Sequence, residues 1–151
     1  MRTDGPAIKS FLKLRRIAIV GVSRKEVDFS RAVWKEFREQ GYELIPVNPN
    51  AETIDGLPAV ANLSAINPPP EGAVILLPPA QTLAAAREAI QCGIKSLWFS
   101  LGTALPEAVS LARDAGCEVV AGECPFMFLK PHSAPHSWHR GFKWLFRTLP
   151  C

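Results

Sequence analysis

Arg15-Arg16-Ile17-Ala18-Ile19-Val20-Gly21-Val22-Ser23-Arg24 is the stretch whose reading decides the fold. Two bases precede four consecutive apolar residues, three of them β-branched, and a glycine follows at once. An unbroken apolar run of this kind reads as a strand buried on both faces, as in a parallel sheet; antiparallel strands with one wet face alternate instead. Gly21 lets the backbone turn sharply and lets a ligand come close. In open α/β sheets the ligand crevice lies beyond the carboxyl ends of the strands, near the first strand-to-helix turn. Residues 21–24, with a hydroxyl and a guanidinium, are therefore the candidate site.

Working outward, residues 25–29 form a charged loop. Ser30 is expected to cap a helix whose apolar face is Val33, Trp34 and Phe37 and which Gly41 terminates. Residues 42–47 make the second strand; its Pro46 favours a sheet edge or a strand end, and Asn48-Pro49-Asn50 closes it. Residues 51–70 keep no sustained period, and Gly56, Pro58 and prolines 68–70 mark loops around at most one short helix. Residues 73–77 are a third buried strand, stopped by Pro78-Pro79. A helix over 80–91 follows, with Gly93 at its end, then a strand over 95–99 and a turn at Ser100-Leu101-Gly102. Pro106 opens the next helix, where proline is tolerated; that helix ends at Gly116, and residues 118–121 are the last strand. Upstream, Ile8, Phe11, Leu12 and Leu14 form a short amphipathic helical turn packed on the sheet edge. Five strands alternating with at least three helices are βαβ repetition, hence an α/β fold with a doubly wound parallel sheet and right-handed crossovers.

At 151 residues the chain is expected to be one domain, long enough to bury about 70% of its unfolded surface. A net charge of +3 is too small to argue for nucleic acid by itself, although after Glu123 only bases remain: Lys130, Arg140, Lys143 and Arg147. No run approaches the roughly 20 apolar residues of a membrane span, and the start lacks the apolar core of a secretory signal. Cys92, Cys117, Cys124 and Cys151 are scattered with no CxxC pair. Reduced thiols and a cytoplasmic location are the expectation.

The dinucleotide fingerprint needs G-x-G-x-x-G in the first turn and a carboxylate at the end of the second strand. This chain has one glycine there, and its second strand ends in Asn48-Pro49. A nicotinamide-dependent redox protein is accordingly the weakest reading. An anion suits the turn better. Backbone N–H groups after Gly21 and at the start of the following helix point to one crevice, and Arg24, Lys25 and Arg31 bring opposite charge.

Five short motifs fall in order at the ends of successive strands: residues 17–24, Ile45-Pro46-Val47-Asn48-Pro49, Leu76-Leu77-Pro78-Pro79, Trp98-Phe99-Ser100-Leu101-Gly102 and Glu123-Cys124-Pro125. Together they resemble the small CoA-binding proteins with a Rossmann-like fold. They are also similar to the CoA-binding domain at the start of the succinyl-CoA synthetase α subunit and of NDP-forming acyl-CoA synthetases. The resemblance covers residues 10–128 and implies a three-layer Rossmann-like sheet holding coenzyme A or an acyl-CoA. Gly21, Val22, Ser23 and Arg24 would wrap the phosphates, with Ser30 and Arg31 beside them. Asn48 and Pro49 would line the adenosine side. Leu77, Pro78 and Pro79 would pack on the ligand, the prolines donating no hydrogen bond. Gly102 would let the fourth loop pass close to the pantetheine arm. Ser100 departs from the relatives, which often carry a glutamine-like residue there. CoA bears roughly four negative charges, which a basic turn matches.

The synthetases of this resemblance pass a phosphoryl group through a histidine on a second domain and use a separate nucleotide-binding subunit. Here His132, His136 and His139 all lie in the tail, and no Gly-x-x-x-x-Gly-Lys loop is present. The expected function is non-catalytic binding of CoA or acyl-CoA, with no catalytic residue assigned. A component of an acyl-CoA synthetase completed by other subunits is the alternative. Cys124 reads either as a crevice-facing thiol able to exchange with the CoA thiol or as a small buried apolar residue. The three histidines have helical spacing, but Pro131 and Pro135 interrupt it and no cysteine or acid stands nearby, so no metal is expected. Residues 129–151 are read as a helical extension of the 1–128 domain, with Trp138, Phe142, Leu145, Phe146 and Leu149 as its apolar stripe. Docking of that stripe on the core or on a second copy, as a homodimer, is favoured over a membrane surface.

Overall fold

The computed structural model describes residues 5–129. Its elements are α1 (Gly5–Leu12), β1 (Arg16–Val20), α2 (Phe29–Glu39), β2 (Glu43–Val47), β3 (Thr53–Ile54), β4 (Leu57–Pro58), β5 (Gly72–Ile75), α3 (Pro79–Gln91), β6 (Ser96–Phe99), α4 (Pro106–Asp114) and β7 (Glu118–Ala121), with 3-10 turns at Leu63–Ala65 and Pro125–Met127. Five strands form one sheet in the order β2-β1-β5-β6-β7. Every neighbouring pair in it is parallel, Ile17 standing beside Leu44 on one side and Gly72 on the other.

Alternation along the strands divides the core into two layers. Ala18, Val20, Ala73, Ile75, Leu97, Phe99, Val119 and Ala121 face α3 and α4, which meet them with alanines at 85, 86, 89, 108 and 112. Ile17, Ile19, Val74, Trp98 and Val120 point the other way, against Ile8 and Phe11 of α1 and Val33, Trp34 and Phe37 of α2. Small helix residues meet the first face and large aromatics the second, so the sheet is buried on both sides in the three-layer arrangement expected. Phe11 meets Trp98 edge-to-face at 5.3 Å, a preferred aromatic geometry, and α1 packs on the edge strand β7 and on its neighbour β6.

Several local readings need correction. The cap of α2 is Asp28, not Ser30. Asp28 is extended and its carboxylate accepts the Ser30 N–H, so the helix begins at Phe29. Ser30 is already inside the helix, and its hydroxyl donates to that carboxylate while accepting the Ser23 N–H. The third strand ends at Ile75, although Leu76 still donates to the Val20 carbonyl at 2.8 Å before the chain leaves the sheet. The supposed loop over 51–70 contains an antiparallel hairpin, β3–β4. Its turn, Asp55-Gly56, has positive φ at both residues (47° and 80°), as a two-residue type I′ hairpin requires.

Pro46 lies in β2 at the sheet edge, where a missing N–H is tolerated. That edge is partly covered: Val60 donates to the Pro46 carbonyl and accepts from the Asn48 N–H. Among the described residues no helix is long and apolar enough to cross a membrane. Leu129 is buried against the α1–α2 layer. The remainder of the expected terminal helix, with its histidines and aromatic stripe, lies outside the described residues.

Candidate functional site

The order of strands reverses between β1 and β5, because the chain runs from β1 outward to β2 and then returns to the far side of β1. Ligand crevices in open α/β sheets form at such a point, beyond the carboxyl ends of the strands. A hollow of about 520 Å³ lies there. Val20, Gly21 and Val47 form its base, Asn48, Pro49, Ala61 and Leu63 one side, and Leu77, Ala80, Gln81, Ala84 and Glu88 the other. Volumes of roughly 300–1,000 Å³ are usual for small-molecule sites.

Gly21 is required here on two counts. Its φ is +94°, and a Cβ would stand 2.9 Å from both the Leu76 carbonyl oxygen and Leu77 Cδ2. The β1 and β5 exits therefore touch without any side chain between them, which keeps the base of the hollow open.

The loop from Gly21 to α2 is tied down from three sides. The Asn48 side-chain amide donates to the Val22 carbonyl at 2.8 Å, and its oxygen accepts the Asn50 N–H at 2.7 Å. The Ser23 N–H donates to Ser30 Oγ at 2.8 Å, and Ser23 Oγ accepts from the Lys25 N–H at 3.1 Å. Arg31 Nη1 donates to the carbonyls of Ser23 and Arg24, each at 3.3 Å, while its Nη2 pairs with Asp55. The backbone N–H groups of Val22 and Arg24 take no partner among the described residues, and Arg24 and Lys25 are exposed.

The amino end of α3 adds a second source of donors. Pro78 caps it with no side-chain hydrogen bond, Pro79 occupies the first helical position, and the next two residues, Ala80 and Gln81, line the hollow. An uncapped helix start carries partial positive charge; Pro79 has no N–H and that of Gln81 donates to the Pro78 carbonyl at 2.9 Å, so the N–H left here for a ligand is that of Ala80.

Of the residues expected at the site, Gly21, Asn48, Pro49 and Leu77 line the hollow. Val22, fully buried, and Ser23 and Arg24 lie on the loop beside it. Pro78 and Pro79 are exposed at the start of α3. Ser30 and Arg31 sit in the first turn of α2, engaged with Asp28, Ser23, Arg24 and Asp55 rather than free. Gly102, at φ +84°, is on the turn after β6 and does not line this hollow. Ser100 is fully buried there, its hydroxyl without a partner among the described residues.

Cys124 is 6% exposed, closer to an inert buried residue than to an accessible nucleophile. Burial pushes the Cys92 thiol up, with the Glu88 carboxylate adding to it. Burial does the same to Cys117, against an opposing effect of Lys95. No group of three metal-ligating side chains occurs among the described residues.

Two participants escaped the sequence reading. Asp55 was legible in principle, since Asp-Gly between short apolar pairs is a strong hairpin signal. Glu88, whose carboxylate also accepts the Ser64 N–H at 2.9 Å, carries no local signal, being one polar position of an amphipathic helix.

A family described as a CoA binding domain matches residues 15–130. An uncharacterized protein of Bacillus subtilis (strain 168), YneT, is 30% identical over 118 residues, spanning 78% of this chain and 87% of that protein. Among solved structures, a hypothetical protein from Pyrococcus horikoshii OT3 superimposes with a TM-score of 0.77 at 30% identity, covering 83% of this chain and 88% of that one. A dinucleotide-forming acetyl-coenzyme A synthetase of Ca. Korarchaeum cryptofilum shares the fold, with a TM-score of 0.60 at 23% identity over 68% of this chain and 25% of its own.

Proposed function

This chain belongs to the family of CoA binding domains, and on that premise we propose that the hollow at the β1–β5 exit holds coenzyme A or an acyl-CoA. The phosphates lie along residues 21–25, and the chain acts as a binding protein rather than a catalyst. One observation carries the reading: the loop that leaves Gly21, at the base of a hollow with largely apolar walls, carries the unpartnered N–H of exposed Arg24 and two exposed bases. A spare amide and two cations match a ligand carrying roughly four negative charges. The apolar walls match its less polar portions.

A nicotinamide dinucleotide fits less well. No carboxylate closes β2 to hold ribose hydroxyls, and both ends of the Asn48 side chain bond to the protein's own backbone. The test compares CoA, acetyl-CoA, dephospho-CoA, NAD and ATP by calorimetric titration and by melting shift. At a hundredfold excess over Kd, a ligand adds about 2.7 kcal/mol, a rise in Tm of about 5–11 °C for a chain of this size. Heat and stabilisation with CoA or acetyl-CoA are expected. Silence with both, or stabilisation by NAD alone, overturns the ligand assignment. ADP formation from ATP, an acid and CoA by this chain alone overturns the non-catalytic half.

A further inference from the structure

We infer that Asp55, on the β3–β4 turn, is a positioning residue for the phosphate-side loop, and that Arg31 acts through this pair as a strut rather than as a phosphate ligand. The inference rests on the CoA reading above and assigns the loop its means of being held.

The geometry converges on one carboxylate. Asp55 pairs with Arg31 and accepts from Trp34 Nε1 at 3.0 Å, and the Asp55 backbone carbonyl accepts from Arg38 Nη1 at 3.0 Å. Trp34 is fully buried, so one carboxylate oxygen is fixed by a group that cannot move without disturbing the core. The Arg31 side chain is only 10% exposed. Held from behind by Asp55, its guanidinium presents Nη1 to the carbonyls of Ser23 and Arg24. In a trans peptide the N–H points opposite to the C=O. Fastening the Ser23 carbonyl to Arg31 thus turns the Arg24 N–H away from Arg31, and that N–H is one of the two left spare. Similarly, fastening the Val22 carbonyl to Asn48 turns the Ser23 N–H toward Ser30 Oγ. The hairpin thereby sets which way the Arg24 amide faces, while Asn48 and Ser30 set that of Ser23. Arginine suits the task because its planar fork serves several acceptors at once.

The two roles for Arg31 predict opposite signs. If Arg31 were a phosphate ligand, Asp55→Asn would release it and remove a negative charge near a polyanion, and CoA would bind more tightly. If Asp55 positions the loop, the same change weakens CoA binding although it removes that repulsion. Asparagine tolerates the positive φ of the turn and can still accept from Trp34, so the hairpin persists. The measurement is CoA affinity by titration calorimetry, with peptide-level hydrogen exchange of the unliganded protein as a second readout.

The expected outcome for Asp55→Asn is about tenfold weaker CoA binding, with faster exchange across residues 22–25 and unchanged exchange in β6. Arg31→Lys, which keeps the charge but not the fork, gives the same pattern. Lys95→Gln, at an exposed base before β6 at the opposite end of the sheet, leaves the affinity unchanged. Equal or tighter binding by Asp55→Asn, or unaltered loop exchange, overturns the positioning role. Should the unmodified protein itself fail to bind CoA, the ligand reading falls instead, and the exchange experiment still decides whether Asp55 orders the loop.

Discussion

Replacing Gly21 by alanine tests the proposition that the hollow depends on a close approach of two strand exits, and Gly41→Ala supplies the matched control. Gly21 has φ +94° and Gly41 φ +88°, so each alanine is forced into a left-handed conformation at a cost of roughly 1–2 kcal/mol. Each also gains the same small benefit from a less flexible unfolded chain. The surroundings differ. At Gly41 an added Cβ meets nothing within 4 Å, whereas at Gly21 it meets the Leu76 carbonyl oxygen and Leu77 Cδ2 at 2.9 Å and the Leu76 carbonyl carbon at 3.0 Å. The Leu77 methyl can swing aside, but the Leu76 backbone is held by its hydrogen bond to Val20. Overpacking against such a neighbour costs typically about 1–3 kcal/mol more.

Urea unfolding of the two variants, at matched slopes, should therefore place Gly21→Ala below Gly41→Ala by that margin, a difference in Tm of about 2–12 °C. CoA titration should show weakened binding for Gly21→Ala alone, because Gly41 precedes β2 at the opposite end of the sheet from the hollow. Equal destabilisation of the two would refute the idea that β1 and β5 touch through Gly21.

Three other outcomes are expected. Arg24→Glu weakens CoA binding by about tenfold at low salt, and the loss shrinks as ionic strength rises; a salt-independent loss would remove Arg24 from the phosphate side. Ser30→Ala leaves the Ser23 N–H without its acceptor and destabilises the fold by about 1–3 kcal/mol, read from thermal melts; an unchanged Tm would show that bond to be immaterial. Burial raises the Tyr42 hydroxyl above its ordinary 10.0, and its O–H donates to the Leu12 carbonyl at 2.5 Å. The folded state thus holds this proton more tightly than the unfolded one, so the contribution is complete below pH 10 and disappears as pH climbs through the folded value. Tyr42→Phe should accordingly flatten the alkaline decline in stability measured by urea titration, and superimposable pH profiles would contradict that assignment.

The architecture was legible because each main strand is a continuous apolar run. Burial on both faces leaves no alternative for residues such as Ile17, Ala18, Ile19 and Val20, and the glycines that follow the helices mark where each crossover turns. The reversal at β1 that places the hollow does not follow from that alternation, which leaves the strand order open; the folded sheet shows it. The position of Gly21 beside it was equally plain from local sequence. So was the resemblance carried by five motifs at strand ends, which the match over residues 15–130 places in the CoA binding domain family.

What local pattern could not settle was which polar groups of the loop are left for a ligand. Ser30 and Asp28 are both good caps, and only the folded backbone shows that the carboxylate takes the cap while the hydroxyl turns to Ser23. Arg31 is one of three bases near the turn, and nothing within α2 tells that its partner lies 24 residues onward on the Asp55 turn. Asn48 likewise folds its amide inward to Val22. Secondary structure is written into short-range periodicity, and chain order alone carries the parallel topology. The pairing of polar side chains is a competition among donors and acceptors that meet only after the sheet has brought distant segments together, so the tertiary structure decided it.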